Sequence, residues 1–239
     1  GGGRVFDTAP SYGVSEAVAG RLARERGLTE KIFWATKVNV AQRGGGRADP
    51  AAARAQVEES FRRLGVATMD LIQVHNLGDV PVQLGILKEL KSAKRLRYLG
   101  VTTTSKDQYA ELEHVMRTQP LDFIGIDYAV DNRSVEETIL PLAALRRTAV
   151  MVYLPFGRTR LFQRVGDRAL PAWAADFDAA SWAQFFIKYV LGHPAVTVVT
   201  PATSQASHLA DNLAAGRGRL PDASMRRRMA AFIDALPAA

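Results

Sequence analysis

Seven short runs rich in Val, Ile, Leu, Phe and Tyr recur along the chain, at residues 4–8, 32–38, 71–75, 98–103, 123–129, 150–155 and 196–200. Within each run the apolar residues are nearly continuous rather than alternating. That is the pattern of strands buried on both faces of a parallel sheet. Between the runs lie segments with helical patterning, and their ends carry punctuation. Asp49 followed by Pro50 reads as an N-cap and first helical residue, and Gly65 as the residue past the C-terminus. Ser134 with Glu137, and Ser105 with Gln108, have the spacing of a capping box. Gly192 and Pro194 close a helix over residues 182–191. Pro141 either bends the helix after Ser134 or sits in a break within it. Asp222 opens a last helix outside the alternation.

Strand–helix alternation over the whole length implies a parallel α/β fold with right-handed crossovers. Two architectures satisfy it, an open doubly wound sheet and a TIM (β/α)8-type barrel. A dinucleotide-binding open sheet would carry GxGxxG after its first strand. Gly1-Gly2-Gly3 and Gly44-Gly45-Gly46 do not have that spacing, which favours the barrel. The expectation is a single barrel domain over residues 1–239 with seven βα units visible. An eighth unit is needed to close a barrel, since a gap exposes two strand edges, and the expected place for it is before Gly1. The connection over residues 157–178 is about 20 residues long, against 2–6 for most βα loops, and long loops on barrels carry function.

Composition narrows the class of protein. With 239 residues, 47% hydrophobic and 23% charged, the chain can bury a core of ordinary globular size. No apolar run approaches the ~18 residues that span a membrane, and the start has no signal-peptide pattern. The default compartment is the cytoplasm, with export open if a leader precedes residue 1. The absence of cysteine excludes disulfides, thiol catalysis and thiolate metal sites. His114, His193 and His208 lack metal-ligand spacing, so no metal is expected. The net charge of +7 comes largely from arginines in short clusters, Arg62-Arg63, Arg146-Arg147 and Arg226-Arg227-Arg228. These read as solvated helix faces, and without interleaved aromatics they do not point to nucleic acid. Oligomeric state is not legible.

The chemistry gathers at the C-terminal ends of the first runs, where barrel enzymes keep their active sites. Asp7, Tyr12, Lys37 and His75 fall there in succession. An inward-pointing lysine needs an anion, because burying an unpaired ammonium is costly, and Asp7 is the neighbouring partner. Tyrosine ordinarily ionises near pH ~10. A lysine cation beside it stabilises phenolate and makes Tyr12 a better proton donor. His75 would orient a carbonyl oxygen and stabilise its developing charge. The set suits carbonyl reduction, and since it holds no reductant, a hydride donor is required. Blander readings stay open: Asp7 as a turn residue, His75 as a core histidine, Lys37 as a Schiff-base amine. Trp173, Trp182 and Phe185 read as packing residues, although Trp173 in the long loop could line a pocket.

FDTAPSYGVSEAVAG, ATKV, DLIQVHN, LKELKSAKRLRYLGVT and VTPATSQASHLADN resemble the aldo-keto reductases from Phe6 to about Asn212. The resemblance implies a (β/α)8 barrel, an NADP(H) or, less often, NAD(H) cofactor, a small-molecule carbonyl substrate, and a catalytic tetrad of Asp7, Tyr12, Lys37 and His75. YLPFG would place Tyr153 stacked on the nicotinamide ring, with Pro155 also among the cofactor-binding residues. The backbone N–H groups of Gly157 to Leu161 would meet the pyrophosphate, with Arg158 and Arg160 adding positive charge. Pro201, Thr203, Gln205 and Asn212 would lie near the adenosine end. Thr102 and Thr103 stand where the family has Ser-Asn, Gly125 where it has a carboxamide-holding glutamine, and Gln205 where a basic residue meets the 2′-phosphate. These departures leave a second reading, a dinucleotide-binding module without turnover, and a third, an inactive fragment of a reductase.

Overall fold

The computed structural model describes residues 2–41 and 46–237; Gly1, Gly44 and Gly45 of the two expected glycine loops lie outside them. Two units are distinguished, one of Arg4–Gly125 and one of Ile126–Ala239 with Gly1–Gly3.

In the first unit, strands β1 (Val5–Asp7), β2 (Phe33–Val38), β3 (Met69–Val74) and β4 (Leu96–Thr103) alternate with helices α1 (Ser15–Glu25), α2 (Pro50–Leu64), α3 (Val80–Ser92) and α4 (Tyr109–Thr118). Strand β5 (Phe123–Asp127) begins here and ends in the second unit. The strands pair in parallel in chain order, with Asp7 beside Ala35 and Lys37 beside Gln73. This register sets the ends of β1, β2 and β3 side by side. Strand β3 is buried almost throughout, as a continuous apolar run demands.

The capping expected for α2 is present. The Asp49 carboxylate accepts from Ala51 N–H at 3.0 Å, Pro50 is the first helical residue, and Gly65 closes the helix at φ 73°. Helix α1 packs differently from an ordinary amphipathic helix. Its buried side is Glu16, Gly20 and Ala23, while Val14, Val18 and Leu22 are exposed. Gly20 lies against the backbone of Arg63 and Leu64, so a Cβ there would collide with α2.

The second unit holds α5 (Ile139–Arg146), β6 (Ala149–Tyr153), α6 (Arg160–Val165), α7 (Trp182–Leu191), β7 (Val198–Val199), α8 (Ala206–Ala214) and α9 (Ala223–Asp234). The last strand is shorter than the expected run over 196–200. The long connection over 157–178 is itself folded, into α6 and a 3-10 segment Ala172–Phe177. Trp173 packs there against Phe177, Phe185 and Phe232, with Arg228 over its ring, so it belongs to an aromatic cluster.

Two boundary readings need correction. Ser134 starts a 3-10 turn, and α5 begins only at Ile139, which puts Pro141 in the first turn, where a missing N–H leaves no helical bond unmade. No Ser134–Glu137 box forms. Ser105 likewise precedes a 3-10 turn, and the Gln108 side chain is used elsewhere. Gly192 ends α7 at Leu191 as expected, in a right-handed conformation, and a Cβ there would meet Pro221. Arg226 also departs from the expected solvated face. It is 9% exposed, donates to the Tyr189 carbonyl at 3.0 Å and to Glu136 at 2.7 Å, and touches the Tyr128 hydroxyl.

Candidate active site

Asp7, Tyr12, Lys37 and His75 converge in the first unit. Lys37, next to last in β2, is 1% exposed, with Nζ donating to Asp7 Oδ2 at 2.7 Å and to the Thr8 carbonyl at 2.8 Å. The buried ammonium therefore has the anion that desolvation requires. Tyr12 sits in the turn before α1, where its N–H donates to the Ala9 carbonyl at 3.0 Å and its own carbonyl accepts from Ser15 N–H at 3.1 Å. Its ring centroid is 5.1 Å from Lys37 Nζ and 6.1 Å from the His75 ring, which it meets edge-on at 82°. Tyr12 remains 48% exposed, the one member of the set open to water to that degree.

The electrostatics differ from the expected tuning. The Tyr12 phenol is pushed up to about 12, first by burial and then by the negative charge of Asp7. Lys37 lies over the face of the ring, and its charge is matched by Asp7. Burial pulls the Lys37 ammonium below the ordinary lysine range, and Asp7 opposes that pull. The arrangement keeps Tyr12 protonated, as a donor must be, without making it a stronger acid.

Thr102 and Thr103 are both buried at the end of β4. Asn76 N–H donates to Thr102 Oγ1 at 3.2 Å. The Thr103 hydroxyl donates to Gln108 Oε1 at 2.6 Å and accepts from Ser105 N–H at 3.1 Å. Thr103 has one hydroxyl hydrogen, and Gln108 takes it.

One carboxylate and one amide side chain escaped the sequence reading. Glu16, 1% exposed, accepts from Thr36 Oγ1 at 2.7 Å and from Arg63 at 3.4 Å, tying α1 to the strand that carries Lys37. Its signal was a lone acid sharing a face with Gly20 and Ala23. Gln108 links Thr103 to the Asn76 carbonyl, and its capping-box spacing disguised it.

The second unit holds the remaining candidates. Tyr153 ends β6, and its hydroxyl donates to Met151 Sδ at 3.3 Å. Pro155 and Gly157 are buried, and Leu154, Gly157 and Arg158 have φ of 55°, 54° and 65°. The expected row of free N–H groups is partly engaged. Gly157 N–H donates to Leu154, Arg160 N–H to Gly157 and Leu161 N–H to Phe156, because the segment folds into a turn leading into α6. Leu161 fills the core. The Arg160 guanidinium is held by both carboxylate oxygens of Asp131, at 2.7 and 2.9 Å, whereas Arg158 is exposed. Pro201 is half-buried, Thr203 and Gln205 are exposed before α8, with Thr203 Oγ1 accepting from Gln205 N–H at 3.1 Å, and Asn212 is buried on α8.

The sequence matches the model of the aldo/keto reductase family over residues 1–231. Among solved structures, an aldo-keto reductase from Bacillus halodurans in its holo form is 23% identical, with a TM-score of 0.74 over 100% of this chain and 84% of that one. An aldo/keto reductase from Klebsiella pneumoniae in complex with NADP and acetate is 22% identical, with a TM-score of 0.78 over 96% and 80%. A glycerol dehydrogenase from Gluconobacter oxydans is 25% identical, with a TM-score of 0.69 over 96% and 80%. These likenesses establish an α/β fold of the TIM-barrel type. Together with the match that runs through nearly the whole sequence, they show that this chain belongs to the aldo/keto reductase family.

Proposed function

We propose that the chain reduces an aldehyde or ketone with NADPH or NADH, Tyr12 giving the proton. The observation that carries this reading is the buried Lys37–Asp7 pair, 2.7 Å long, set 5.1 Å from the face of a tyrosine whose ring meets His75. Family membership and the NADP complex of the Klebsiella protein support the choice of cofactor.

The residues suited to a dinucleotide are uneven in their fit. In the second unit, the exposed Arg158 beside Gly157 and the Thr203, Gln205 and Asn212 set offer charge, a close backbone approach and amide donors. Tyr153 and Pro155 would stand at the nicotinamide end. In the first unit, the Thr102–Thr103 pair is the weaker part, since Thr103 already donates to Gln108. A reduced nicotinamide, when bound, would supply the hydride for the carbonyl carbon. Tyr12 transfers its phenol proton to the carbonyl oxygen, which leaves a phenolate beside the Lys37–Asp7 pair, a strong base that readily takes a proton back. Half exposure lets water return the proton. His75 donates to the same oxygen and holds it within reach of Tyr12.

Steady-state oxidation of NADPH over a panel of aldehydes and ketones tests the reading. Tyr12→Phe lowers turnover by ~10² or more, the usual contribution of a positioned acid, with the cofactor Kd unchanged. A Tyr12→Phe variant as fast as the parent would remove Tyr12 from the role. The Thr103–Gln108 bond and Gly125 favour a second reading, a module that binds a dinucleotide without steady-state turnover. It predicts a single slow oxidation of bound cofactor and nothing after it.

A further inference from the structure

The chain leaves β3 in an unusual way. Of the five residues that follow Val74, three non-glycines, Asn76, Leu77 and Asp79, lie in the left-handed region at φ 54°, 53° and 35°. Such conformations cost L-residues on the order of 1–2 kcal/mol each, somewhat less for Asn and Asp. Leu77 has no such relief, and its side chain is buried. A strained segment persists only where its surroundings over-determine it.

The restraints are specific. Both backbone polar groups of Asn76 are held from the end of β4 and the turn that follows it: its N–H donates to Thr102 Oγ1 at 3.2 Å, and its carbonyl accepts from Gln108 Nε2 at 2.9 Å. The amide of Gln108 is fixed at its other end by the Thr103 hydroxyl at 2.6 Å. This fixes which amide atom faces Asn76. Further along, the Gly78 carbonyl accepts from Gln83, and Ala48 N–H donates to Asp79 Oδ2 at 2.8 Å. The residue at the start of this segment is His75, whose ring meets Tyr12.

We propose that Gln108 is a positioning residue for His75, holding the His75–Asp79 segment, with its three left-handed residues, in the one conformation that sets the imidazole against Tyr12. Glycine would make such a segment easy to adopt and equally easy to leave. Non-glycine residues held by an amide bridge give one conformation. The role attributed to His75 rests on the carbonyl-reductase reading, but the restraint itself does not.

The test uses the full chain with Gln108→Leu and Gln108→Glu. Leucine removes both bonds. Glutamate keeps the acceptor for Thr103 and loses the donor for the Asn76 carbonyl, so both variants lower kcat/KM for the carbonyl, by about 10-fold or more, with the NADPH Kd within about twofold of the parent. The deciding measurement repeats Gln108→Leu in a His75→Ala background. A residue acting through His75 costs little further there; a merely structural one costs the same factor in both backgrounds. An undiminished factor, or variants that match the parent, overturns the proposal. Amide hydrogen exchange at Asn76–Gly78 reads the restraint without turnover: faster exchange in Gln108→Leu supports it, and unchanged exchange overturns it. If the parent chain reduces no carbonyl, the function reading fails, and exchange alone decides the restraint.

Discussion

At the scale of single residues, the unusual group is Tyr12. A lysine cation beside a phenol is expected to acidify it, yet here burial and Asp7 push it up to about 12. The direction gives a sign. A proton held more tightly in the folded state than in the unfolded one adds stability below the ordinary tyrosine value, near 10, and that contribution is lost as pH rises toward about 12. In the cofactor-free protein, tyrosinate absorbance of the parent minus that of Tyr12→Phe is expected to rise only near pH 12. A difference signal that titrates at about pH 9, below the ordinary tyrosine value, would mean that Lys37 acts on the hydroxyl more than Asp7 does. Lys37 itself shows why a strand-end lysine is a strong sequence signal. Its burial is tolerable only because Asp7 and the Thr8 carbonyl receive it.

At the scale of elements, the second unit is fastened by a side-chain network that no local pattern announced. Arg226 on α9 reaches Glu136, the Tyr128 hydroxyl and the Tyr189 carbonyl, and its guanidinium lies 4.6 Å from the Tyr189 ring centroid. The Tyr189 hydroxyl also donates to Glu136, at 3.1 Å. Arg226→Met leaves that carboxylate without its guanidinium. The expected loss is roughly 2–3 kcal/mol, below the full value for a wholly buried pair because Glu136 keeps contact with water. Urea unfolding measures it, and a midpoint equal to the parent's would show that the network is not what holds α9. The contrast with α2 marks what a sequence makes legible. Asp49, Pro50 and Gly65 act through bonds within a few residues of themselves, so their roles could be read in order. Arg226 is an ordinary basic helix residue until Glu136, 90 positions away, is placed beside it. Gln108 misled for a related reason: its spacing from Ser105 satisfied a local rule while its amide bonded to Asn76, 32 positions distant. The clustering of Asp7, Tyr12, Lys37 and His75 was legible because they fall at or just beyond the ends of successive strands, and parallel register brings those ends together. The loop from Gly157 to Leu161 was legible in position and not in conformation, since nothing in its composition shows that three of its N–H groups turn inward.

At the scale of the whole molecule, charge and cofactor meet. The chain carries 31 Lys and Arg against 24 Asp and Glu, an excess that favours an anionic dinucleotide over long range and is screened by salt. On the proposed placement of the adenosine end, Gln205 is neutral where a fixed cation would single out a 2′-phosphate. Titration with NADPH and with NADH, followed by tryptophan quenching, is expected to give two similar affinities at ~0.15 M salt. A preference for NADPH of about 100-fold or more, worth ~2.7 kcal/mol, would require a cation other than residue 205, and Arg158 would be the first to replace.

Among the described residues two lysine amines are shielded, and they fall in different units. Lys37 lies in the first. Lys188 lies on α7 in the second, fully buried, donating to the Arg217 and Arg219 carbonyls at 2.6 and 2.9 Å. Neither can meet an acylating reagent without local opening, so each becomes a clock for its own surroundings. Under a pulse of amine-reactive label read by mass spectrometry, surface lysines such as Lys94 saturate at once, while these two label at the rate at which their neighbourhoods open. Equal rates would mean that one unfolding event exposes both. A faster Lys37 or a faster Lys188 would identify which half of the chain yields first.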